Sequence, residues 1–221
     1  MTAVLEDGDL ETLTALLESV TPNLRRVAEQ VAEQYEDGDL TLEVAAGVLA
    51  IVVAAGNEQA AALGEAHMAA TLTARGLTPA AAAPAPAAIA PAPAAIGSIA
   101  DRGPNGLLIS GAVPPMDYRR DTDRLDAAAR IVLKHETGSV SAAGRLAVTE
   151  ALEAAREAQM RALLTSPSAG SAVGWRRVLD AKPCPVCVDW AAGGTVFPLR
   201  SSMQTHPRCG CTRAIVFEGD Q

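Results

Sequence analysis

Cys184-Pro185-Val186-Cys187, followed after 18 intervening residues by His206-Pro207-Arg208-Cys209-Gly210-Cys211, decides how the end of this chain is read. A Cys-x-x-Cys turn can aim two thiolates at one ion, and a second ligand pair at this distance is the spacing of a two-knuckle structural zinc site. Zinc takes four ligands in a tetrahedron, and five candidates are offered. Cys184 and Cys187 are the firmest. The second pair is open among His206, Cys209 and Cys211, with His206 plus one late cysteine the favoured choice. Two disulfides fit poorly with neighbours two residues apart and with the reducing cytoplasm expected for the chain. A redox pair would need a β-α-β pattern around Cys184, which is missing. Catalytic zinc needs an open coordination position and a nearby base, and Asp189 is the only carboxylate the local sequence suggests. The expected cofactor is therefore structural zinc, contributing on the order of 10 kcal/mol to the folding of so small a module.

Around these ligands the sequence is β-like in short pieces, at Trp175–Leu179, Thr195–Phe197 and Thr212–Phe217, separated by Pro and Gly. Upstream it is helical. Asp121 to Lys134 reads as one helix, and Ser139 or Ser141 as the cap of another that runs to about Leu164. On that second helix Val148, Leu152, Ala155 and Leu163 share a face, which leaves Glu150, Glu153, Arg156 and Glu157 mostly on the other side. Ser166-Pro167-Ser168-Ala169-Gly170 ends it.

Residues 77–100 are mostly alanine and proline with no charged side chain. Prolines this frequent forbid a regular helix, and a polyproline-like tether of this length would reach about 70 Å. Before it, helical stripes recur: Leu10, Leu13, Leu17 and Val20 after Asp9, then Leu24, Val27, Val31 and Tyr35 after a restart at Thr21-Pro22. Asp37-Gly38-Asp39 breaks the pattern, and Thr41 with Val44 starts a segment that persists to about Arg75. A helical hairpin or small bundle is the simplest packing. The expected fold is thus mainly α with a small α+β zinc-binding module. Its divisions are an acidic helical region at 1–76, an Ala/Pro-rich linker and extended segment at 77–118, and a domain at 119–221 with the zinc module at 171–217.

Charge and composition narrow the function. Of 221 residues 49% are hydrophobic, but only 3% are aromatic and much of the remainder is alanine, which buries little area per residue. Thin helical packing that leans on partners is expected. Residues 1–76 carry a balance of −10 and residues 101–221 a balance of +2, so the first part has no electrostatic footprint for nucleic acid. Trp175, Arg176, Arg177, Arg208 and Arg213, in or beside the module, are the candidate partner or nucleic-acid contacts. Met1 is followed by acidic residues where a secretory leader would be basic. The run Val44 to Ala55 is interrupted by Gly47 and is too short to span a bilayer; no membrane partner is expected. Signals for catalysis are faint. His135-Glu136 lacks the second histidine of a zincin helix, His67 sits in an alanine-rich helix where a surface position is expected, and there is no nucleophile elbow or phosphate loop.

Gly174-Trp175-Arg176-Arg177-Val178, Cys184-Pro185-Val186-Cys187, Gly193-Gly194-Thr195-Val196-Phe197 and His206-Pro207-Arg208-Cys209-Gly210-Cys211, taken in that order, resemble the C-terminal domain of phage Mu protein F-like (MuF) head morphogenesis proteins, in the form found in actinobacteriophages. The resemblance covers roughly the last hundred residues, and the ligand string is its specific part. Gly210 stands where that family usually has arginine, and residues 1–100 carry no signature of it. The resemblance implies a minor capsid protein of a tailed phage, made in the bacterial host cytoplasm and carried in the virion head near the portal vertex. It further implies several copies in a larger assembly, with the portal and/or the major capsid protein as partner and packaged DNA as a further contact. Two alternatives stand beside this structural role: a capsid maturation protease acting on capsid or scaffold, and a DNA-contacting packaging accessory. No residue set in the chain supports proteolysis by itself.

Overall fold

A computed structural model describes residues 8–80, 118–134, 138–180, 182–205 and 209–220 of the chain. Its α-helices are α1 (Gly8–Glu36), α2 (Leu42–Ala74), α3 (Tyr118–Leu133), α4 (Ser139–Thr165) and the short α5 (Pro185–Ala191). Its strands are β1 (Ala172–Val178), β2 (Phe197–Pro198) and β3 (Thr212–Phe217). The protein is mainly helical, with one small antiparallel sheet near its C-terminus, as the sequence patterns predict. Most of the Ala/Pro linker, His135, His206 and Arg208 lie outside the described residues.

The helix ends follow from local chemistry. Thr41 caps α2, its hydroxyl accepting the Val44 N–H at 3.4 Å while its carbonyl accepts Ala45 N–H at 2.9 Å. At the other end Gly76 takes φ 69°, Leu77 N–H donates to Leu72 O and Gly76 N–H to Thr73 O, each at 2.9 Å. That is a Schellman stop, closed by the packing of Leu77 against the cluster that holds Leu72.

Two expectations about the first helices are corrected. The chain does not restart at Thr21-Pro22, because α1 runs continuously from Gly8 to Glu36 with Pro22 inside it. Proline removes one donor and crowds one carbonyl, and the buried stripe of Leu13, Leu17, Leu24, Val27 and Val31 on both sides of it holds the helix together. Nor does Gly47 interrupt α2. At 33 residues this helix is, by length and composition, long and apolar enough to cross a membrane, and 44% of its most apolar stretch is buried within the protein.

The compact units do not follow chain order. One gathers the described residues of 1–20, 57–82 and 149–221, the other those of 21–56 and 83–148. The linear division at 76 and 118 therefore cuts through the first unit. In the second unit, small side chains let helices approach: a Cβ on Gly56 would come within 2.4 Å of a Leu24 methyl. Ala45, Ala46, Leu49, Val53, Leu125 and Ala129 make up much of its interior, and the Ser139 hydroxyl is bonded to Glu36.

In the first unit the expected face of α4 is buried at Ala155 and Leu163 and differs elsewhere. Ala151, Ala155 and Ala158 are fully buried, whereas Val148 and Leu152 are only half-buried. Alanine gives little area, but it permits the closest helix approach. Arg156, assigned by the pattern to the polar side, is 2% exposed. His67, expected on the surface, is buried on α2 with its Nδ1 3.2 Å from Gln159 Nε2 on α4. The sheet has the order β2-β1-β3, with Trp175 opposite Phe197 on one side and Ile215 on the other. An irregularity between Ala172 and Gly174 shifts the alternation, so that Val173 is exposed while Trp175 and Arg177 both turn inward.

Candidate metal centre

Cys187, Cys209 and Cys211 are buried, and their sulfurs all lie within 4.8 Å of one another. They are close enough to hold one metal ion. Cys187 and Cys209 approach to 3.7 Å between sulfurs, and none of the four cysteines is in a disulfide. They arrive on two supports. Cys184 is the N-cap of α5 with Pro185 in the first turn, and its Sγ accepts the Cys187 N–H at 3.4 Å. Cys187 is one turn in, on the buried side of α5. Cys209 and Cys211 come from the turn leading into β3. Gly193 and Gly194, at φ 69° and 64°, turn the chain from α5 back to β2. L side chains rarely adopt that conformation.

Around the sulfurs is an apolar shell. Trp175 and Met203 are buried with the cysteines, and Met160, Leu179, Cys184, Trp190, Phe197 and Ile215 pack against them. Trp175 stacks on Phe197 at 4.5 Å between ring centroids, and its Nε1 donates to the Ser201 hydroxyl at 3.1 Å.

Three arginines and one carboxylate complete the surroundings. Arg177 directs one guanidinium nitrogen at two sulfurs, 3.6 Å from Cys187 and 3.8 Å from Cys209, bonds the Gln204 carbonyl, and lies 4.8 Å above the Trp190 ring. Arg156 donates to the carbonyls of Cys209 at 2.7 Å and Cys211 at 2.6 Å. Arg213 lies over the Trp175 ring at 5.3 Å and donates to the Arg156 carbonyl at 3.4 Å. Asp180 accepts Lys182 N–H at 2.9 Å through one oxygen and Gly210 N–H at 3.0 Å through the other.

These neighbours set the acidity of the thiols in opposite directions. Burial, then hydrogen bonding with Cys211, Cys209 and Cys184, pushes the Cys187 thiol well above its ordinary range. Burial opposes ionisation of Cys209 too, but the Cys211 N–H, the Cys187 thiol and the charge of Arg156 outweigh it, and Cys209 falls below the ordinary value. Burial, with the negative charge of Cys209 and Asp180, raises Cys211. Burial also pulls Arg213 below the usual guanidinium range.

Set against the sequence, the structure brings together Cys187, Cys209 and Cys211 and places Cys184 beside them. Trp175 and Arg177 are 1% and 7% exposed, and the indole nitrogen and the terminal guanidinium nitrogens bond inside the module. They belong to the interior of the module and not to a contact surface for a partner or nucleic acid. Arg213 is partly buried on the same framework, while Arg176, on the other face of β1, is exposed. The nearby carboxylate is Asp180, not Asp189, which is exposed on α5. Sequence reasoning missed Arg156 and Asp180; Gly210 was the one local clue, since a Cβ there would come within 2.8 Å of an Asp180 oxygen. No family model matches the chain, and no curated protein or solved structure does.

Proposed function

We propose that this chain is an assembly protein whose C-terminal module is built on a structural zinc ion, and that it serves as a minor capsid protein of the MuF-like head morphogenesis kind. The observation that carries the zinc reading is the convergence of three buried sulfurs from two separate chain segments. In a tetrahedron with bonds of about 2.3 Å to sulfur, the ligand atoms stand about 3.8 Å apart, close to the 3.7 Å between Cys187 and Cys209. Cys184 is the fourth ligand in this reading, since it packs on the same cluster and its sulfur already accepts the Cys187 N–H. The ion would supply cross-linking between α5 and the entry to β3, replacing a hydrophobic core too small to hold them.

A closed, sulfur-lined site favours a structural role over catalysis. The phage-head part of the proposal rests on the ordered sequence string from Gly174 to Cys211 and on its fit to a zinc-stabilised docking module. In that reading the module docks on the portal or the major capsid protein, inside the virion head near the portal vertex, in several copies. The DNA-packaging alternative is weakened by the burial of Trp175 and Arg177. The maturation-protease alternative has no supporting constellation among the described residues.

Two measurements test this. Native mass spectrometry of the purified chain should find one zinc per protein, lost with chelators; a metal-free chain with intact fold would sink the zinc reading. A density map of the assembled particle should place the module beside the portal. Purified particles lacking the chain would sink the capsid role and leave the zinc untouched.

A further inference from the structure

We infer that Arg156, remote in sequence from every candidate ligand, is the positioning residue of the metal centre. It fixes the Cys209-Gly210-Cys211 turn in its ligating form and ties that turn to helix α4. The inference rests on the zinc reading above. Arg156 is 2% exposed, and burying a guanidinium is unfavourable unless its donors are used. Its two terminal nitrogens are used: one donates to both the Cys209 and Cys211 carbonyls, at 2.7 and 2.6 Å, and the other donates to Glu153 at 2.8 Å, while Nε is buried without a partner.

Drawing the carbonyls of residues two apart to one nitrogen brings the two oxygens closer together than the roughly 6.7 Å two-residue repeat of an extended strand, and so holds the backbone between them in a turn curled around the guanidinium. From the opposite direction Asp180 takes the intervening Gly210 N–H at 3.0 Å. The turn is thus held by its two carbonyls from α4 and by its amide from the residues just past β1. Neither holder is a metal ligand. Outer partners of this kind set ligand geometry, and their loss typically weakens metal binding by about 10–100-fold. Continuity runs further, because the Arg156 carbonyl accepts Arg213 of β3.

The test uses the full chain with cobalt(II) as the probe, whose thiolate charge-transfer bands report sulfur ligation. Arg156→Met keeps length and apolar packing and removes the donors, and Arg156→Lys keeps the charge without the fork. Cobalt affinity should fall about 10–100-fold in Arg156→Met and by less in Arg156→Lys, with the helical circular dichroism retained. In the parent protein, chelation should raise amide exchange in the turn at 209–211 and in α4 around residue 156. If Arg156→Met fails to fold, the exchange comparison on the parent protein decides alone. Unchanged cobalt affinity in a folded Arg156→Met, or α4 exchange unaffected by chelation, overturns the role of Arg156 while the zinc reading stands. A parent protein that develops no thiolate bands with cobalt overturns both.

Discussion

Gly64 on α2 meets the backbone carbonyl of Ala155 on α4 so closely that a Cβ at Gly64 would lie 2.2 Å from that oxygen. The obstacle is backbone, so no rotamer change relieves it. Gly64→Ala should cost about 1–3 kcal/mol by forcing the helices apart, although alanine is the better helix former. Urea unfolding followed by circular dichroism checks this, and a variant as stable as the parent would mean that the two helices are not in contact there.

The cysteines should not be equivalent. Cys187 is 1% exposed at the centre of the cluster, whereas Cys184 is half-buried at its edge. Serine at 187 should abolish stoichiometric metal binding, and serine at 184 should leave a weaker site. Metal analysis after gel filtration distinguishes them. Equal retention of metal in both variants would place the ion elsewhere.

Metal retention should also depend on pH, because thiols bind zinc only after giving up their protons. Burial and its thiol neighbours raise Cys187, so protons compete for it more strongly than for an exposed thiol. Metal should be lost cooperatively on acidification, and loss should reverse when pH is restored with zinc present. A zinc content independent of pH down to the point of global unfolding would contradict this.

Arg75, just past α2, donates to Asp220 at 2.8 Å and lies 4.5 Å over the Phe217 ring. Burial alone would raise the Asp220 carboxyl, but Arg75 and the Phe217 N–H outweigh it and hold it below the ordinary range. A carboxyl depressed in the folded state stabilises above the unfolded value of about 3.9 and loses that contribution as pH falls through its folded value. Asp220→Asn should therefore cost about 1–2 kcal/mol at neutral pH and almost nothing in strong acid. Denaturation at two pH values measures the difference; a constant penalty would remove the ionic explanation.

Much of the architecture was legible in local pattern. The 3.6-residue spacing of Leu13 and Leu17, and of Leu24 and Val27, showed helix on both sides of Pro22, Thr41 and Arg75 bounded the second helix, and the β-branched piece at 212–217 gave the last strand. Pro22 misled because a proline counts as a boundary locally, whereas the continuous apolar stripe decides over the whole helix. In the site, Cys187, Cys209 and Cys211 were legible because cysteine spacing carries its own chemistry. Arg156 and Asp180 were not, since arginine and aspartate are usually solvated and only contact between distant segments reveals that these two are enclosed. For the same reason Trp175 and Arg177 resembled a binding surface: the strand alternation that turned them inward depends on an irregularity no residue type announces.

Residues 57–80 and 149–220 belong to a single body, although the region between them includes the alanine-proline stretch. Covalent continuity across that stretch is then not what holds the C-terminal half together. Two separately expressed polypeptides, divided between positions 80 and 118, should reassociate when mixed, whereas a piece starting at 119 and left alone should lack a wall of its own interior.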